Sequence, residues 1–506
     1  MSRIKLKPDR EFQYSPYALV SRYVYLIAIT QTRCIMQKLC LTASKLWSWL
    51  ETWIDQEGGV HSYVVYHHRD NLKILSPDTW TQSTCILGLL GLYKATGEEK
   101  WLLQAKRLSA YLANNYIRSI HIFRNSNFDR KPLGQPALEG NALPSYALLE
   151  TSKLLGGGEE YELFTKTAKD NIVNFLLKNW DESAGAFQSI YHGSYAHIHN
   201  KNSLTIMAIL SFLDIEGSNE GLMDKALRTG EFIVNCQVKK GIFQGAYPYA
   251  DNDTNYRTTY SLITSLGLLE LYQSTGKTIF LVSVEKALKH LASFVDEETG
   301  LICHFHKAGY PQWILDMFLL LMVAKRLLRF GCEVPINIEQ FLDRLLNWQY
   351  PTGAFPLSLG FEDLWFKKRL PSKPKIKRWR DLLPVPALNS WILWAVSEML
   401  PQGIILPLSP KSFPFVLLTD AEETEGPFRI TEYEDQVVFE KLPENRIVGI
   451  FRKKAELADF CLIRERGDYW KTIDSIMRYP EPLRRLILAV PYRFFNRDSK
   501  SGFMNL

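Results

Sequence analysis

The histidines of this chain fall between its predicted helices. Only His290 lies within a helical pattern, and the other nine of the ten occur in the long segments that connect helices. Because the ordinary pKa of histidine lies near neutral pH, these side chains are suited to accepting and releasing protons. We therefore predict that at least one of them belongs to a site. The nine are His61, His67, His68, His121, His192, His197, His199, His304 and His306.

Aromatic and acidic residues accompany these histidines. A ligand pocket typically combines aromatic faces with a few convergent polar groups. Residues of these types would equally plug the end of a helical ring, and for any single tyrosine that interpretation is favoured. The residues in question are Tyr63, Trp80, Tyr247, Tyr249, Asp251, Asp253, Tyr256, Arg257 and Trp313.

One segment carries a strong local positive charge. Between positions 367 and 380 it holds eight lysines and arginines and no acid, among them Arg378 and Arg380. The whole chain has a net charge of only +6, so the remainder sums to −2 and the positive field is local. Such a segment would suit an acidic polysaccharide, a nucleic acid or an anionic lipid surface, or would simply be solvated.

The elements that must position these residues follow a repeat. Five turns end a helix at a glycine and continue with an aromatic or aliphatic residue, as in Asp-Glu-Ser-Ala-Gly185-Ala-Phe and Asp-Glu-Glu-Thr-Gly300-Leu. The glycines at 185, 241, 300 and 353 are 56, 59 and 53 residues apart, and Gly59 precedes Gly185 by about two periods. A degenerate unit near 118–143 fills the gap. A period of this length predicts stacked helical hairpins.

The helix count predicts a closed double ring. Six helices follow long loops, and five follow short turns, with residues 31–55 supplying a sixth partner. Closure buries the apolar flanks that an open helical solenoid, the alternative, would expose at its ends. The N-terminal ends of the six inner helices would then face one mouth, where their dipoles favour an anionic ligand. The inner helices are predicted near 81–96, 144–155, 203–214, 260–275, 313–330 and 386–400.

The chain divides into three parts by pattern. We predict an N-terminal extension over 1–30, the ring over 31–400 and a small α+β region over 401–506. In the last part, 428–433, 436–440 and 446–451 are typical of strands, and 469–478 and 482–490 are typical of helices. The second helix is basic and apolar, which favours docking on the ring over contact with a membrane surface.

Composition narrows the class of protein. A hydrophobic fraction of 46% and a charged fraction of 23% indicate a folded chain with a large core. We find neither a signal peptide nor a membrane span. Seven cysteines, an odd number, indicate reduced thiols and a cytoplasmic protein. A phosphate-binding loop, a dinucleotide fingerprint and a serine-hydrolase elbow are absent, which argues against those chemistries.

The repeat grammar, with the two glycine turns quoted above, resembles the (α/α)6-toroid carbohydrate enzymes over about residues 31–400. That group includes six-hairpin glycosidases, uronyl hydrolases, polysaccharide lyases and sugar epimerases. The resemblance implies a mainly α fold, an (α/α)6 toroid, and a sugar bound across the mouth of the ring. With the basic segment, it implies an anionic, uronate-containing oligo- or polysaccharide as partner. The resemblance carries no diagnostic active-site motif.

Two mechanisms fit that resemblance. Proton abstraction beside a uronate carboxylate, in a lyase or C5-epimerase, requires a base, an acid and a group that neutralises the carboxylate. The candidates are His192, Tyr195, His197, His199, Asn200, Tyr256 and Arg257. A hydrolase requires two carboxyl groups that flank the bond, and here the candidates are Asp78, Asp129, Asp251, Asp253 and Asp316. Substrate contacts are predicted for His61, Tyr63, His67, His68, Trp80, Asn200, Tyr247, Tyr249, His304, His306, Trp313, Arg378 and Arg380.

Other functions remain open at this point. The mouth would equally serve a non-catalytic glycan- or partner-binding protein. Terpene cyclases and prenyltransferases are also helical toroids, but Asp251-Asn-Asp253-Thr lacks the last acid of their Asp-x-Asp-Asp cluster. Cys303-His304 with Cys236 resembles the zinc site of lanthionine cyclases only superficially, so no cofactor and no metal are predicted. We expect no nucleic-acid partner, and the sequence does not indicate an oligomeric state.

Overall fold

The computed structural model describes the parts of the chain that form the ring. They are residues 16–65, 72–75, 77–124, 137–191, 194–297, 299–306, 311–349, 353–360 and 384–407, followed by three strands between 428 and 452. Within them lie α1 (Pro16–Glu51), α2 (Thr79–Thr96), α3 (Glu99–Asn114), α4 (Glu139–Leu155), α5 (Glu159–Asn171), α6 (His199–Glu216), α7 (Glu220–Cys236), α8 (Thr258–Thr275), α9 (Thr278–Ala292), α10 (Ile314–Arg329), α11 (Ile338–Leu346) and α12 (Pro386–Met399).

The even-numbered helices form a closed inner ring. Each packs against the next, from α2 through α4, α6, α8 and α10 to α12, and α12 packs back against α2. The odd-numbered helices lie outside, and α1 contacts both α11 and α12. The predicted closure of the first partner helix against the last hairpin is therefore confirmed, and the open solenoid is excluded. Helix α1 begins at Pro16, ahead of the boundary drawn at residue 30.

The strands are short and antiparallel. They pair as β1 (Ser62–Val65) with β2 (Leu72–Leu75), β3 (Tyr116–Ile117) with β4 (Ile122–Phe123), β5 (Trp180–Asp181) with β6 (Ala186–Phe187), β7 (Ser189–Tyr191) with β8 (Ser194–Ala196), and β9 (Gln312–Trp313) with β10 (Ser358–Leu359). The sheet β11 (Phe428–Glu432), β12 (Gln436–Lys441) and β13 (Arg446–Arg452) matches the three strands expected from the sequence. The helices expected at 469–478 and 482–490 lie outside the described residues.

The degenerate unit near 118–143 contains the same strand hairpin as the other repeats, but its turn has no glycine. Trp180 pairs with Phe187 across a turn in which Gly185 has a φ of 67°. Tyr116 pairs with Phe123 in the same way, and His121 takes the glycine position with a φ of 58°. Non-glycine residues rarely adopt this conformation. The degenerate unit therefore folds like its neighbours.

A buried amide at the start of four inner helices binds the backbone of the preceding turn. In each case the side-chain oxygen accepts the N–H of an apolar residue in that turn. The pairs are Gln82 with Val60, Asn141 with Phe123, Asn202 with Phe187, and Asn389 with Phe355. These residues point outward and define a common register. We call the place of this residue in each inner helix the amide position. Ser261 occupies the amide position in α8, and Met317 occupies it in α10.

That register shows that the centre of the ring is solid. Successive residues of a helix are rotated by 100°, so positions two and five after the amide position point toward the ring axis. All twelve side chains at these positions are buried. They are Thr84, Leu143, Leu204, Ile263, Leu319 and Trp391 in one layer, and Leu87, Tyr146, Met207, Leu266, Met322 and Trp394 in the next. A ligand therefore reaches the ring at its ends and not through a channel.

A charged layer closes the ring nine positions after the amide position. Arg326 on α10 pairs with Glu270 on α8 at 2.7 Å and with Glu398 on α12, whose Oε2 accepts from Nε at 2.9 Å. Glu150 on α4 accepts from Lys153 at 2.7 Å and from Ser211 at 3.1 Å. The layer lies at the C-terminal ends of the inner helices, and we call it the base layer. No helix in the described part of the chain combines the length and apolar character needed to cross a membrane.

Candidate functional site

The opposite end of the ring is lined by the residues one and two positions before the amide position. Their side chains point toward the axis or toward the neighbouring inner helix. We call these twelve residues the mouth layer. From α4 to α10 they form a polar arc of Glu139, Lys201, Asn200, Tyr260, Thr259 and Asp316. The rest, mostly small or apolar, form the apolar arc of Leu315, Leu388, Ala387, Thr81, Trp80 and Gly140.

At one end of the polar arc, a buried carboxylate orients a histidine. Asp316, which is fully buried, lies 2.9 Å through Oδ2 from Nδ1 of His304, and its Oδ1 accepts the hydroxyl of Thr259. Since the carboxylate only accepts, Nδ1 of His304 carries a proton, and in the neutral imidazole Nε2 then carries a lone pair. Within the described residues, Nε2 has no hydrogen-bond partner. The imidazole stacks on Trp313 with 4.1 Å between ring centroids.

An arginine that pairs with no carboxylate of the described residues lies beside His304 and Asp316. The guanidinium of Arg257 lies over the rings of Tyr249, Tyr260 and Phe305, at 4.9, 5.3 and 5.7 Å from their centroids. In the described part of the chain it has no carboxylate partner, and its Nε is buried without a hydrogen bond. Tyr260 also contacts the ring of His304, at 6.4 Å between centroids. The aromatic rings hold the cation in place and leave its N–H donors for an anion.

At the other end of the polar arc lies an ion pair. Nζ of Lys201 on α6 is 2.9 Å from Oε2 of Glu139 on α4, and both side chains are about nine-tenths buried. The hydroxyl of Ser189 lies 3.4 Å from the same ammonium. Glu139, Lys201 and Ser189 at the α4–α6 interface thus occupy the same places as Thr259, Asp316 and His304 at the α8–α10 interface. Asn200, which is 3% exposed, carries a buried Oδ1 without a hydrogen-bond partner.

His197 joins two loops. Its Nδ1 lies 2.7 Å from Oδ2 of Asp251, its Nε2 lies 3.1 Å from Oδ2 of Asp181, and its backbone N–H donates to Asp251. Burial raises the pKa of Asp251, but the hydrogen bonds from His197 outweigh this and hold the pKa below its usual value. Only the doubly protonated imidazole donates to both carboxylates. In this arrangement neither nitrogen is left for a substrate.

Three further histidines are buried between the two rings. His199 donates through Nδ1 to the carbonyl of Pro248 at 2.7 Å and packs on Phe232 of α7, and burial lowers its pKa to about 4. Nε2 of His290 lies 3.1 Å from Nδ1 of His306. Burial, followed by the two neighbouring histidines, lowers the pKa of His306 to about 3. All three are held neutral and away from the mouth layer.

The structure distributes the other predicted site residues widely. His61 binds Asp55 at 2.8 Å, and Tyr247 binds Ser283 at 2.7 Å. Asp253 accepts from Asn255, Tyr256 stacks on Phe243, and Tyr195 is 64% exposed. Trp80 lies in the apolar arc, 5.0 Å from the ring of Trp391, and Asp78 caps α2. Tyr63 belongs to β1. His67, His68, Asp129, His192, Arg378 and Arg380 lie outside the described residues.

The mouth layer thus brings together part of the predicted set. Asn200, Arg257, His304 and Asp316 converge along the polar arc, with Tyr249 and Trp313 against them. Sequence reasoning missed Glu139 and Lys201. A charged residue in the first turn of an inner helix is the sequence signal that could have identified them. Among the described residues, no group of three or more His, Cys, Asp or Glu side chains is arranged to hold a metal ion.

Comparisons with known proteins rest on structure. No family model matches the sequence, and no curated protein matches it. An unsaturated glucuronyl hydrolase specific for heparin superposes with a TM-score of 0.51 at 12% identity, covering 72% of this chain and 96% of that one. Cellobiose 2-epimerase from Bacillus thermoamylovorans B4167 gives 0.53 at 13%, covering 70% and 98%. A D-mannose isomerase gives 0.51 at 13%, covering 71% and 95%.

The chain folds as an (α/α)6 toroid, the fold that it shares with these structures. The predicted fold is therefore confirmed, over the length of chain that the resemblance implied. At 12–13% identity the likeness establishes the toroid and not the role of any residue in its mouth.

Proposed function

We propose that the toroid converts a carbohydrate that bears a carboxylate, by removing the proton on the carbon next to that carboxylate. The observation that carries this proposal is the pairing of Arg257 with His304. Among the described residues, the first is a cation without a carboxylate partner and the second is an imidazole whose Nε2 makes no hydrogen bond, and both contact the ring of Tyr260. A donor for a carboxylate and a base for its neighbouring proton therefore lie side by side.

Each group has a defined task in that reaction. Nε2 of His304 takes the proton, and Asp316 stabilises the imidazolium that forms and keeps its orientation. Arg257 binds the substrate carboxylate and neutralises the negative charge that develops on it as the carbon–hydrogen bond breaks. The carbanion equivalent then either expels the oxygen on the next carbon, as in a lyase, or regains a proton on the opposite face, as in an epimerase.

The surroundings favour an anionic substrate. The N-terminal ends of all six inner helices lie at the mouth, and their dipoles add to the charge of Arg257. The basic segment between 367 and 380 follows β10 and precedes α12 in the sequence and lies outside the described residues, and its charge is of the sign that an anionic substrate would require. One of the similar structures also fits, since it is an unsaturated glucuronyl hydrolase specific for heparin.

Glycoside hydrolysis is the second candidate. It requires two carboxyl groups on either side of the bond, and Glu139 and Asp316 are the two carboxylates of the mouth layer. Glu139 is paired with Lys201, and Asp316 is bound by His304 and Thr259. Because neither is arranged to donate a proton, proton abstraction by His304 is the better supported mechanism.

Exchange with heavy water tests the proposal. We expect the protein, incubated in deuterium oxide with a panel of uronate-containing oligosaccharides, to remove the hydrogen on the carbon beside the carboxylate, as followed by NMR. An epimerase replaces this hydrogen with deuterium, and a lyase leaves a carbon–carbon double bond in its place. His304→Gln should lower the rate about 100-fold or more, and Arg257→Met should raise KM for the acidic sugar. His121→Gln, a histidine on the outer surface, is the matched control and should retain the full rate.

The same samples separate the competing functions. New ultraviolet-absorbing unsaturated ends identify a lyase, and deuterium in an otherwise intact sugar identifies an epimerase. New reducing ends with neither deuterium nor unsaturated ends would show hydrolysis and contradict the proposal. Tight binding of the sugars with no change in them would identify a binding protein.

A further inference from the structure

We propose that Glu139, Lys201 and Asn200 form a second subsite, which binds the hydroxyl groups of a neutral sugar. This inference rests on the proposed function and deepens it. It names the substrate class as an oligosaccharide in which an acidic sugar is linked to a neutral one. The acidic sugar lies at Arg257 and His304, and the neutral sugar lies farther along the polar arc.

The three residues lie in the mouth layer of two neighbouring inner helices, α4 and α6. Glu139 and Asn200 are two positions before the amide positions of α4 and α6, so both side chains point toward the ring axis. Lys201, one position before, points toward α4 and meets Glu139 at 2.9 Å. A lysine in the first turn of a helix faces the positive end of the helix dipole, which disfavours it. Its buried place there is therefore not explained by the stability of α6 alone.

The subsite is rich in acceptors. Oδ1 of Asn200 is buried without a donor, a condition that costs about 1–3 kcal/mol unless a ligand relieves it. The contact between Lys201 and Glu139 lies outside hydrogen-bond geometry, so Oε2 of Glu139 also retains capacity to accept. A hydroxyl group can donate to these oxygens and accept from the Lys201 ammonium. A carboxylate or phosphate has no proton to donate to Asn200, so the pattern selects a neutral sugar.

Arg257 offers donors where the second subsite offers acceptors. A guanidinium carries donors only, so it selects an anionic group. Inner helices packed at about 9 Å place the α4–α6 and α8–α10 interfaces roughly 14 Å apart across the mouth. Side chains that lean toward the axis shorten this span to one suited to two linked rings. The polar arc is therefore divided into an anion end and a hydroxyl end.

Binding measurements on the full chain test the subsite. The background is His304→Gln, so that ligands are not consumed, and the probes are methyl glucuronide, an aldobiouronic acid (glucuronate linked to a neutral hexose) and a diuronic acid. By calorimetry we expect the aldobiouronic acid to bind about tenfold more tightly than methyl glucuronide. The diuronic acid should gain nothing from its second ring.

Substitutions should identify the residues responsible for the tighter binding of the aldobiouronic acid. Asn200→Leu and Glu139→Gln should each raise Kd for the aldobiouronic acid about five- to tenfold and leave Kd for methyl glucuronide within about twofold. The latter value also shows that the variants are folded. Asn255→Leu, the same change on an exposed loop, is the matched control and should alter neither constant.

Either of two results would contradict the proposal of a second subsite. Equal affinity for methyl glucuronide and the aldobiouronic acid, or tighter binding of the diuronic acid, would do so while leaving the proposed function intact. Failure of all three probes to bind would remove both proposals together.

Discussion

Replacing Arg326 by methionine should expose how strongly the base layer holds the ring closed. The arginine on α10 is shared by Glu270 on α8 and Glu398 on α12, so one side chain connects three consecutive inner helices. Burial raises the pKa of Glu270. Burial also acts to raise the pKa of Glu398, but Arg326 outweighs it and holds that pKa below its usual value. Without the arginine, two partly buried carboxylates remain without their cation.

The expected loss is about 3 kcal/mol in the free energy of unfolding. Breaking a buried ion pair by removing one partner typically costs about 3–5 kcal/mol. The lower end applies because the three side chains are 13–23% exposed. Urea unfolding at pH 7 measures the loss. Arg329→Met, an exposed arginine of the same helix, should cost less than about 1 kcal/mol.

The pH dependence gives a second check on the same variant. Removing the cation raises the pKa of both carboxyl groups in the folded state above the unfolded value of about 4.3. A raised carboxyl pKa destabilises the fold above that pKa, and the penalty fades as pH falls toward the unfolded value. The difference from the wild type should therefore shrink between pH 7 and pH 4.5. Combining Arg326→Met with Glu270→Gln and Glu398→Gln should recover most of the loss. A cost below 1 kcal/mol at pH 7, or one that grows on acidification, would refute this account of the base layer.

Three further expectations follow from the fold. The free energy of unfolding of His121→Gly should stay within about 1 kcal/mol of the wild type, because relief of the strained backbone offsets loss of the Asp170 contact. His121→Val should lower the free energy of unfolding by about 2 kcal/mol. Urea unfolding measures both, and a Val variant as stable as the Gly variant would contradict the positive φ assigned to His121. His199 and His306 fold with pKa values of about 4 and about 3, below the unfolded value of about 6.5. Each should therefore lower stability as pH falls below 6.5, by about 2 kcal/mol at pH 5, and His306→Phe should show a flatter acid limb in a melting series. Asn202→Leu leaves the N–H and C=O of Phe187 without partners and should cost about 2–4 kcal/mol, more than Asn255→Leu on an exposed loop.

The fold was predictable because its signal is periodic. Glycine turns at regular spacing and apolar helix faces required no knowledge of which helix touches which, and closure followed from counting. The one obscured repeat has His121 where the others have glycine. A sequence pattern does not reveal that a side chain other than glycine adopts a positive φ.

The candidate site was only partly predictable, because a loop position does not fix the direction of a side chain. His197 and His304 lie in loops that lead to inner helices and His199 begins α6, yet the first joins two loops, the second packs against α7 and the third reaches the mouth layer. Helix register decides among them. Asp316, one of the predicted carboxylates, interrupts the apolar run at 313–320, a signal that the sequence does carry.

Glu139 and Lys201 escaped notice because their helices were predicted to start too late. The inner helix predicted near 144–155 begins at Glu139 instead, and it contains Pro144 as its sixth residue. Helix α6 begins at His199 and not near 203. Both charges therefore stood outside the predicted helices, where no register could be assigned to them.

Site-resolved NMR of the binding event tests the central claim most directly. With histidine and arginine side chains labelled in the full protein, addition of a uronate oligosaccharide should shift the resonances of His304 and Arg257. Those of His61, His121 and His197 should stay in place. Shifts confined to the outer histidines, with His304 and Arg257 unmoved by a sugar that binds, would contradict a carbohydrate site at the mouth of the toroid.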